Sequence, residues 1–116
     1  MLWHKLNDIS QLNDIINVSK EQSANGLTVL IFKHSTRCSI SSMALNRLET
    51  RWVDNEKIPA YYLDLLNHRD ISNEIESLLS VEHASPQALL IKNGVCIYNA
   101  SHTDISAAGI LEAAKQ

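Results

Sequence analysis

Cysteine is scarce in this chain: two of 116 residues, Cys38 and Cys96, too few for a disulfide framework. Their spacing fits no zinc pattern, so each reads as an individual thiol, either reactive or buried. Glycine (three) and proline (two) are also sparse, which excludes collagen and low-complexity linkers. No apolar run approaches the ~20 residues that cross a bilayer, so no membrane partner is expected. Ten basic residues against thirteen acidic give a net charge of −3. That weak negative balance argues against a nucleic-acid partner, which calls for a basic face. Met1 to Lys5 show no charged head followed by an apolar stretch, so no secretory signal is read and a cytoplasmic setting is expected.

What is present is ordinary globular composition, 45% apolar and 20% charged. At roughly 100–200 residues per domain, residues 1–116 read as a single domain. Asp-Ile-Ser occurs at Asp8, Asp70 and Asp104. Each copy precedes a stretch of helical periodicity, as helix-start chemistry would require, because an Asp carboxylate accepts the orphan N–H groups of a first turn. The spacing predicts a helix from Asp8 to about Glu21, with Ile9, Leu12, Ile15 and Ile16 inward, and a break at Asn25-Gly26. Leu27 to Phe32 is a continuous branched run, short enough for a central strand covered on both faces. A polar segment, Lys33 to Arg37, follows it. A second helix begins near Cys38, and Ile40, Met43, Ala44, Leu48 and Trp52 form its core stripe. Ala60 to Leu65 is a strand. A third helix starts at Asp70 and buries Ile71, Ile75, Leu78 and Leu79. Ala88 to Ile91 and Val95 to Tyr98 flank Asn93-Gly94, a type I′ hairpin signal. A last helix runs from Thr103 or Asp104 to Ala114, and Trp3 to Leu6 offers a short edge strand.

Strands separated by helices imply right-handed parallel crossovers, and the closing hairpin is antiparallel. The fold class is α/β. A central mixed four-stranded sheet, with an optional short fifth strand at its edge and helices on both faces, resembles the thioredoxin plan.

The strand-to-helix turn after Phe32 is where an open α/β sheet binds its ligands. Cys38 sits there, at the first turn of a helix. Free N–H groups, the helix dipole and neighbouring Arg37 favour the thiolate, the form that attacks disulfides. The bland alternative is an inert small residue inside the turn, against which stand the polar neighbours Ser35, Thr36, Arg37 and Ser39. Three residues on is Ser41. A second cysteine there could displace the first from a mixed disulfide; a serine can hydrogen-bond the sulfur but cannot displace it. The chain therefore reads as a monothiol. Cys96, in the returning hairpin strand, reads as a buried small hydrophobe. His34 and Cys38 make two metal ligands at most, so no metal is expected.

Three segments, Lys33-His34-Ser35-Thr36-Arg37-Cys38-Ser39-Ile40-Ser41, His83-Ala84-Ser85-Pro86-Gln87-Ala88 with Asn93-Gly94, and His102-Thr103-Asp104-Ile105, resemble the monothiol bacilliredoxins over nearly the whole chain. Ser39 stands where that family usually has proline, which would fix φ at the helix start, so the first turn is expected to be looser. The resemblance implies that Cys38 removes bacillithiol from protein mixed disulfides, with Ser41 as its non-resolving partner. Bacillithiol is then a co-substrate, no cofactor is bound, and a further thiol or redox protein regenerates the enzyme. It also implies a cis Ser85-Pro86 bond facing Cys38. The substrate would meet Thr36, Arg37, Ser39, Ser85 and Pro86. Bacillithiol carries a malate, whose carboxylates would need cationic partners such as Arg37 and Lys33, with His34, His83 and His102 around the rim. Two rival readings remain: a redox-inactive thioredoxin-like module that binds proteins, and a glutathione-linked iron–sulfur monothiol protein. The second resembles a Cys-Gly-Phe-Ser turn that this chain lacks.

Overall fold

The branched run after Leu27 becomes the middle of the sheet. In the computed structural model, which describes residues 1–20 and 27–115, β2 spans Val29–His34 and all six of its residues are buried. Two neighbours flank it: β3 (Ala60–Asp64) runs parallel and β4 (Gln87–Lys92) antiparallel. Outside these lie β1 (Trp3–Lys5), parallel to β3, and β5 (Val95–Ser101), antiparallel to β4. The sheet is therefore five-stranded, in the order β1-β3-β2-β4-β5, and the optional edge strand is real. Four helices complete the described fold: α1 (Ile9–Lys20), α2 (Ser39–Arg51), α3 (Arg69–Leu79) and α4 (Ala107–Ala114).

Strand alternation divides the core in two. Leu30, Phe32, Ala88 and Leu90 pack under Ala44, Leu48, Trp52 and Ile110 from α2 and α4. Val29, Ile31, Leu63 and Leu89 face the opposite way, against Leu12, Ile15, Ile71 and Ile75 from α1 and α3. A strand covered on both faces needs apolar residues at every position, which is why β2 reads as a continuous run. The hairpin turn has φ of 56° at Asn93 and 77° at Gly94, the two left-handed positions that a type I′ turn requires.

Several expectations shift. Lys33 and His34 are not part of a polar turn. They continue β2, paired with Leu63 and Asp64 of β3. In α2 the buried stripe is Ser41, Ala44, Leu48 and Trp52, whereas Ile40 (48% exposed) and Met43 (65%) face outward. At about 100° per residue, Ile40 and Met43 lie a quarter turn or more off that stripe. In α3, Leu78 is exposed and Ser72 takes an inward place. Asp8 does cap α1, its carboxylate accepting the Gln11 N–H at 2.9 Å. Asp104, however, lies in a 3-10 turn over His102–Asp104, and α4 starts at Ala107, where Ser106 accepts the Gly109 N–H at 3.0 Å. Asp70 falls one residue inside α3, behind His68. The expected end of the first helix at Glu21 and the Asn25-Gly26 break lie outside the described residues.

Candidate functional site

β2 ends at His34, a short turn follows, and Cys38 takes the N-cap position of α2 with φ −107° and ψ 120°. Its N–H donates to the Ser35 carbonyl and its carbonyl accepts the Ser42 N–H, both at 3.1 Å. The thiol-bearing residue is half-buried, and Thr36, Arg37 and Ser39 around it are exposed. The loop into β4 reaches the same edge of the sheet, because Gln87, which follows Pro86, is the cross-strand partner of Lys33. The Ser85–Pro86 bond is cis and Pro86 is buried. Its carbonyl accepts the His102 N–H at 3.1 Å. Ser85 Oγ is buried with no hydrogen-bond partner among the described residues.

Ser41 is fully buried, and its hydroxyl is already occupied. Oγ accepts the Ser35 N–H at 3.0 Å and lies 2.7 Å from His34 Nδ1. The hydroxyl can also give its own hydrogen to Nδ1, the arrangement that places the His34 proton on Nε2. Burial holds the His34 pKa below its ordinary value, against the opposing pull of Asp64 and Glu49. The ring stacks on Phe32 and tilts against Tyr62, with centroids 6.0 and 5.5 Å away. His34 is thus not on a substrate rim. It pegs the turn that carries Cys38, through Ser41 and the Ser35 backbone.

On the other face of the same strand, Lys33 is fully buried and its Nζ lies 3.2 Å from His83 Nδ1. The Ser72 hydroxyl approaches the same nitrogen at 3.2 Å. The Lys33 ammonium can only donate, so Nδ1 accepts from it and the His83 hydrogen lies on Nε2. Burial lowers the Lys33 pKa from 10.5 to about 8, with Glu76 opposing. Burial, then Lys33, also pull His83 down. Lys33 is consequently no open cation for a carboxylate; it supports His83, which is exposed two residues before Ser85. Arg37 is the cation left in the open near Cys38.

Sequence reasoning missed a cavity of about 500 Å³ at the carboxyl ends of β1 and β3, lined by residues that include Trp3, Lys5, Tyr62, Asp64, Asn67 and His68. Its signal was register: Asp64 lies opposite His34, so it belongs to the face that Ser41 and His34 share. Cys96 is at the far end of the sheet, because Ile91 pairs both with it and with Val29. Burial raises its thiol pKa, and both cysteines are free. Among the described residues no cluster of three His, Cys, Asp or Glu could hold a metal, and no helix is long and apolar enough to cross a membrane.

Solved structures resemble this architecture closely. One, assigned provisionally as an oxidoreductase with a thioredoxin fold, is 30% identical, with a TM-score of 0.80 over 97% of this chain and 93% of its own. Thioredoxin from Malassezia sympodialis is 19% identical, with a TM-score of 0.72 over 100% and 90% of the two chains. Mitochondrial thioredoxin 3 from Saccharomyces cerevisiae, also 19% identical, gives 0.68 over 96% and 92%. The latter two show the fold alone. Taken with the family match below, the class is a thioredoxin-fold thiol–disulfide oxidoreductase. The family model described as monothiol bacilliredoxin BrxC matches residues 4–110, so the chain belongs to the monothiol bacilliredoxin family.

Proposed function

We propose that this protein, acting as one domain in the cytoplasm, removes bacillithiol from protein mixed disulfides, with Cys38 as the sole nucleophile. The Cys38 thiolate attacks the bacillithiol sulfur. A new Cys38–bacillithiol disulfide forms, the old disulfide breaks, and the protein thiolate leaves and takes up a proton. The thiolate of a second small thiol or of a redox protein then attacks the adduct, carries the bacillithiol away as a new disulfide and restores Cys38. No electrons are gained or lost beyond this exchange.

One observation carries the reading. A half-buried cysteine caps α2 beside exposed Arg37, and three residues on stands a serine instead of a second sulfur. The exposed Ile40 and Met43 on the first turns of α2 give the modified protein an apolar surface to rest on. Ser85 and Pro86 offer their backbone to its extended segment, while Thr36 and Ser39 line the approach. Arg37 and the Nε2 side of His83 are suited to the carboxylates of the small thiol.

The test is intact-mass spectrometry after incubation with a bacillithiolated protein. Wild type and Cys96→Ala are expected to gain one bacillithiol and to release the free protein thiol, and Cys38→Ala to do neither. Equal loss of transfer in both variants, or no adduct on wild type, refutes the proposal.

A further inference from the structure

Lys33 and His83 form a unit that sulfur exchange alone does not require. A lysine in the middle strand of a covered sheet takes its charge out of water, which is costly unless the charge is paired. Lys33 is fully buried, yet among the described residues no carboxylate lies within ion-pair distance of it; the ion pairs there join Met1 to Asp54 and Lys115 to Glu112. Its Nζ meets a histidine nitrogen instead, His83 Nδ1 at 3.2 Å, which the Ser72 hydroxyl also approaches. The other groups around the pair come from α3, β3 and β4. Glu76 of α3 favours the charged form of both residues, but its carboxylate already accepts the His83 backbone N–H. Arg69 of the same helix acts on His83 in the opposite sense. β3 sets apolar Leu63 beside Lys33, and β4 sets Gln87, whose amide donates to the Glu82 carbonyl at 3.0 Å and ties down the loop that carries His83.

With Nδ1 turned inward, the ring hydrogen sits on Nε2, at the far edge of an exposed side chain, and no described residue accepts it. The imidazole therefore stands between a buried positive charge and solvent. It does so two residues before Ser85, in the loop that reaches the sheet edge where Cys38 stands. A donor with a positive charge behind it is matched by an anion: the ammonium polarises the ring, and Nε2–H then makes a charge-assisted hydrogen bond. We propose that the Lys33–His83 pair is an anion subsite, in which His83 Nε2–H holds a carboxylate of the small thiol exchanged at Cys38 and buried Lys33, a positioning residue, supplies the charge. The identity of that ligand rests on the function proposed above; the subsite itself needs no reactive sulfur. Burial and Lys33 hold the His83 pKa below its ordinary value, so the ring is largely neutral at pH 7 and above, and the charge of the subsite is that of Lys33. Lys33 keeps its proton below about pH 8, so carboxylate binding is full below that pH and is lost as pH rises through it.

The test is an NMR titration with malate, run on the Cys38→Ala protein so that no thiolate charge changes with pH. Malate is expected to shift the His83 ring and the amides of residues 82–86 saturably, and dimethyl malate, the same skeleton without charge, to leave them in place. Between pH 7 and pH 9 malate affinity should fall roughly tenfold, following the protonated fraction of a group with a pKa of about 8. Arg37 stays charged across that range and contributes no such slope. By linkage, saturating malate should raise the pH at which the Lys33 side-chain signals titrate. Lys33→Met should bind malate at pH 7 as weakly as the parent does at pH 9, with no slope. His83→Gln, at an exposed position where folding is not at stake, keeps the ammonium but removes the ring between it and the ligand, and should also weaken malate and flatten the slope. Shifts that bypass His83, equal response to dimethyl malate, a flat pH profile in the parent, or a pH slope that survives Lys33→Met or His83→Gln overturns the proposal. Because malate carries no sulfur and Cys38 is absent, failure here leaves the bacillithiol adduct test untouched, and failure there leaves this one untouched.

Discussion

Replacing Ser41 by alanine should destabilise the protein by about 2–3 kcal/mol. The perturbation removes one oxygen that serves two partners. The Ser35 N–H loses its acceptor at 3.0 Å, and His34 Nδ1 loses a contact at 2.7 Å. Leaving a buried polar group unpaired costs about 1–3 kcal/mol. Ser35 is half-buried and falls near the bottom of that range; His34 is buried and falls higher. Alanine keeps the Cβ, so packing changes little. With roughly 2.1 cal/mol/K of unfolding entropy per residue, a chain of 116 residues loses about 4 °C of Tm per kcal/mol. The expected fall is therefore about 8–12 °C. Urea unfolding at pH 7.5, followed by circular dichroism and cross-checked by thermal melts, measures it. A loss below about 0.5 kcal/mol with an unchanged m-value would show that the hydroxyl pegs nothing, and the structural account of the Cys-x-x-Ser turn would fall.

Lys33 makes stability depend on alkaline pH. Between pH 8, near its folded pKa, and 10.5, its ordinary value, the unfolded lysine keeps a proton that the folded one has released, so this group's contribution rises with pH. In Lys33→Met that rise should vanish, and the variant's stability relative to wild type should fall steadily in urea melts at pH 7.5, 9 and 10; parallel curves would contradict the burial argument. Ser106→Ala removes the hydroxyl that caps α4 and should cost about 1 kcal/mol, or about 4 °C, in the same thermal assay, with Ser106→Gly costing less.

Periodicity carried most of the architecture. The branched run of β2, the Asn93-Gly94 turn and the spacing of Leu48 and Trp52 each reflect one dominant force, burial or backbone conformation. The errors came where two forces compete. Lys33 and His34 are polar, yet both lie in a central strand, because His83, Ser72 and Ser41 supply partners from segments distant in sequence. Such long-range satisfaction leaves no local trace, so a polar pair at the end of an apolar run looks like a turn. Ile40 and Met43 fooled the same reasoning in reverse, since hydrophobicity alone does not tell a core stripe from a surface for a partner. Asp104 failed as a cap because Ser106, two residues later, is the residue whose hydroxyl meets an orphan N–H. Within the candidate site, Cys38 and its missing second sulfur were legible from spacing, but the Asp64 cavity was not, because it arises from register between β1, β3 and β2.

The two sulfurs sit at opposite ends of the sheet, and this bears on kinetics. Under the proposed chemistry no ring can close within one molecule, so every oxidised molecule is a covalent couple with something else. Reactivation is then a collision, second-order overall, and its speed scales linearly with the concentration of whatever free thiol surrounds the protein. A cell depleted of that reservoir would accumulate the capped form in proportion, which makes the capped fraction a gauge of the reservoir itself.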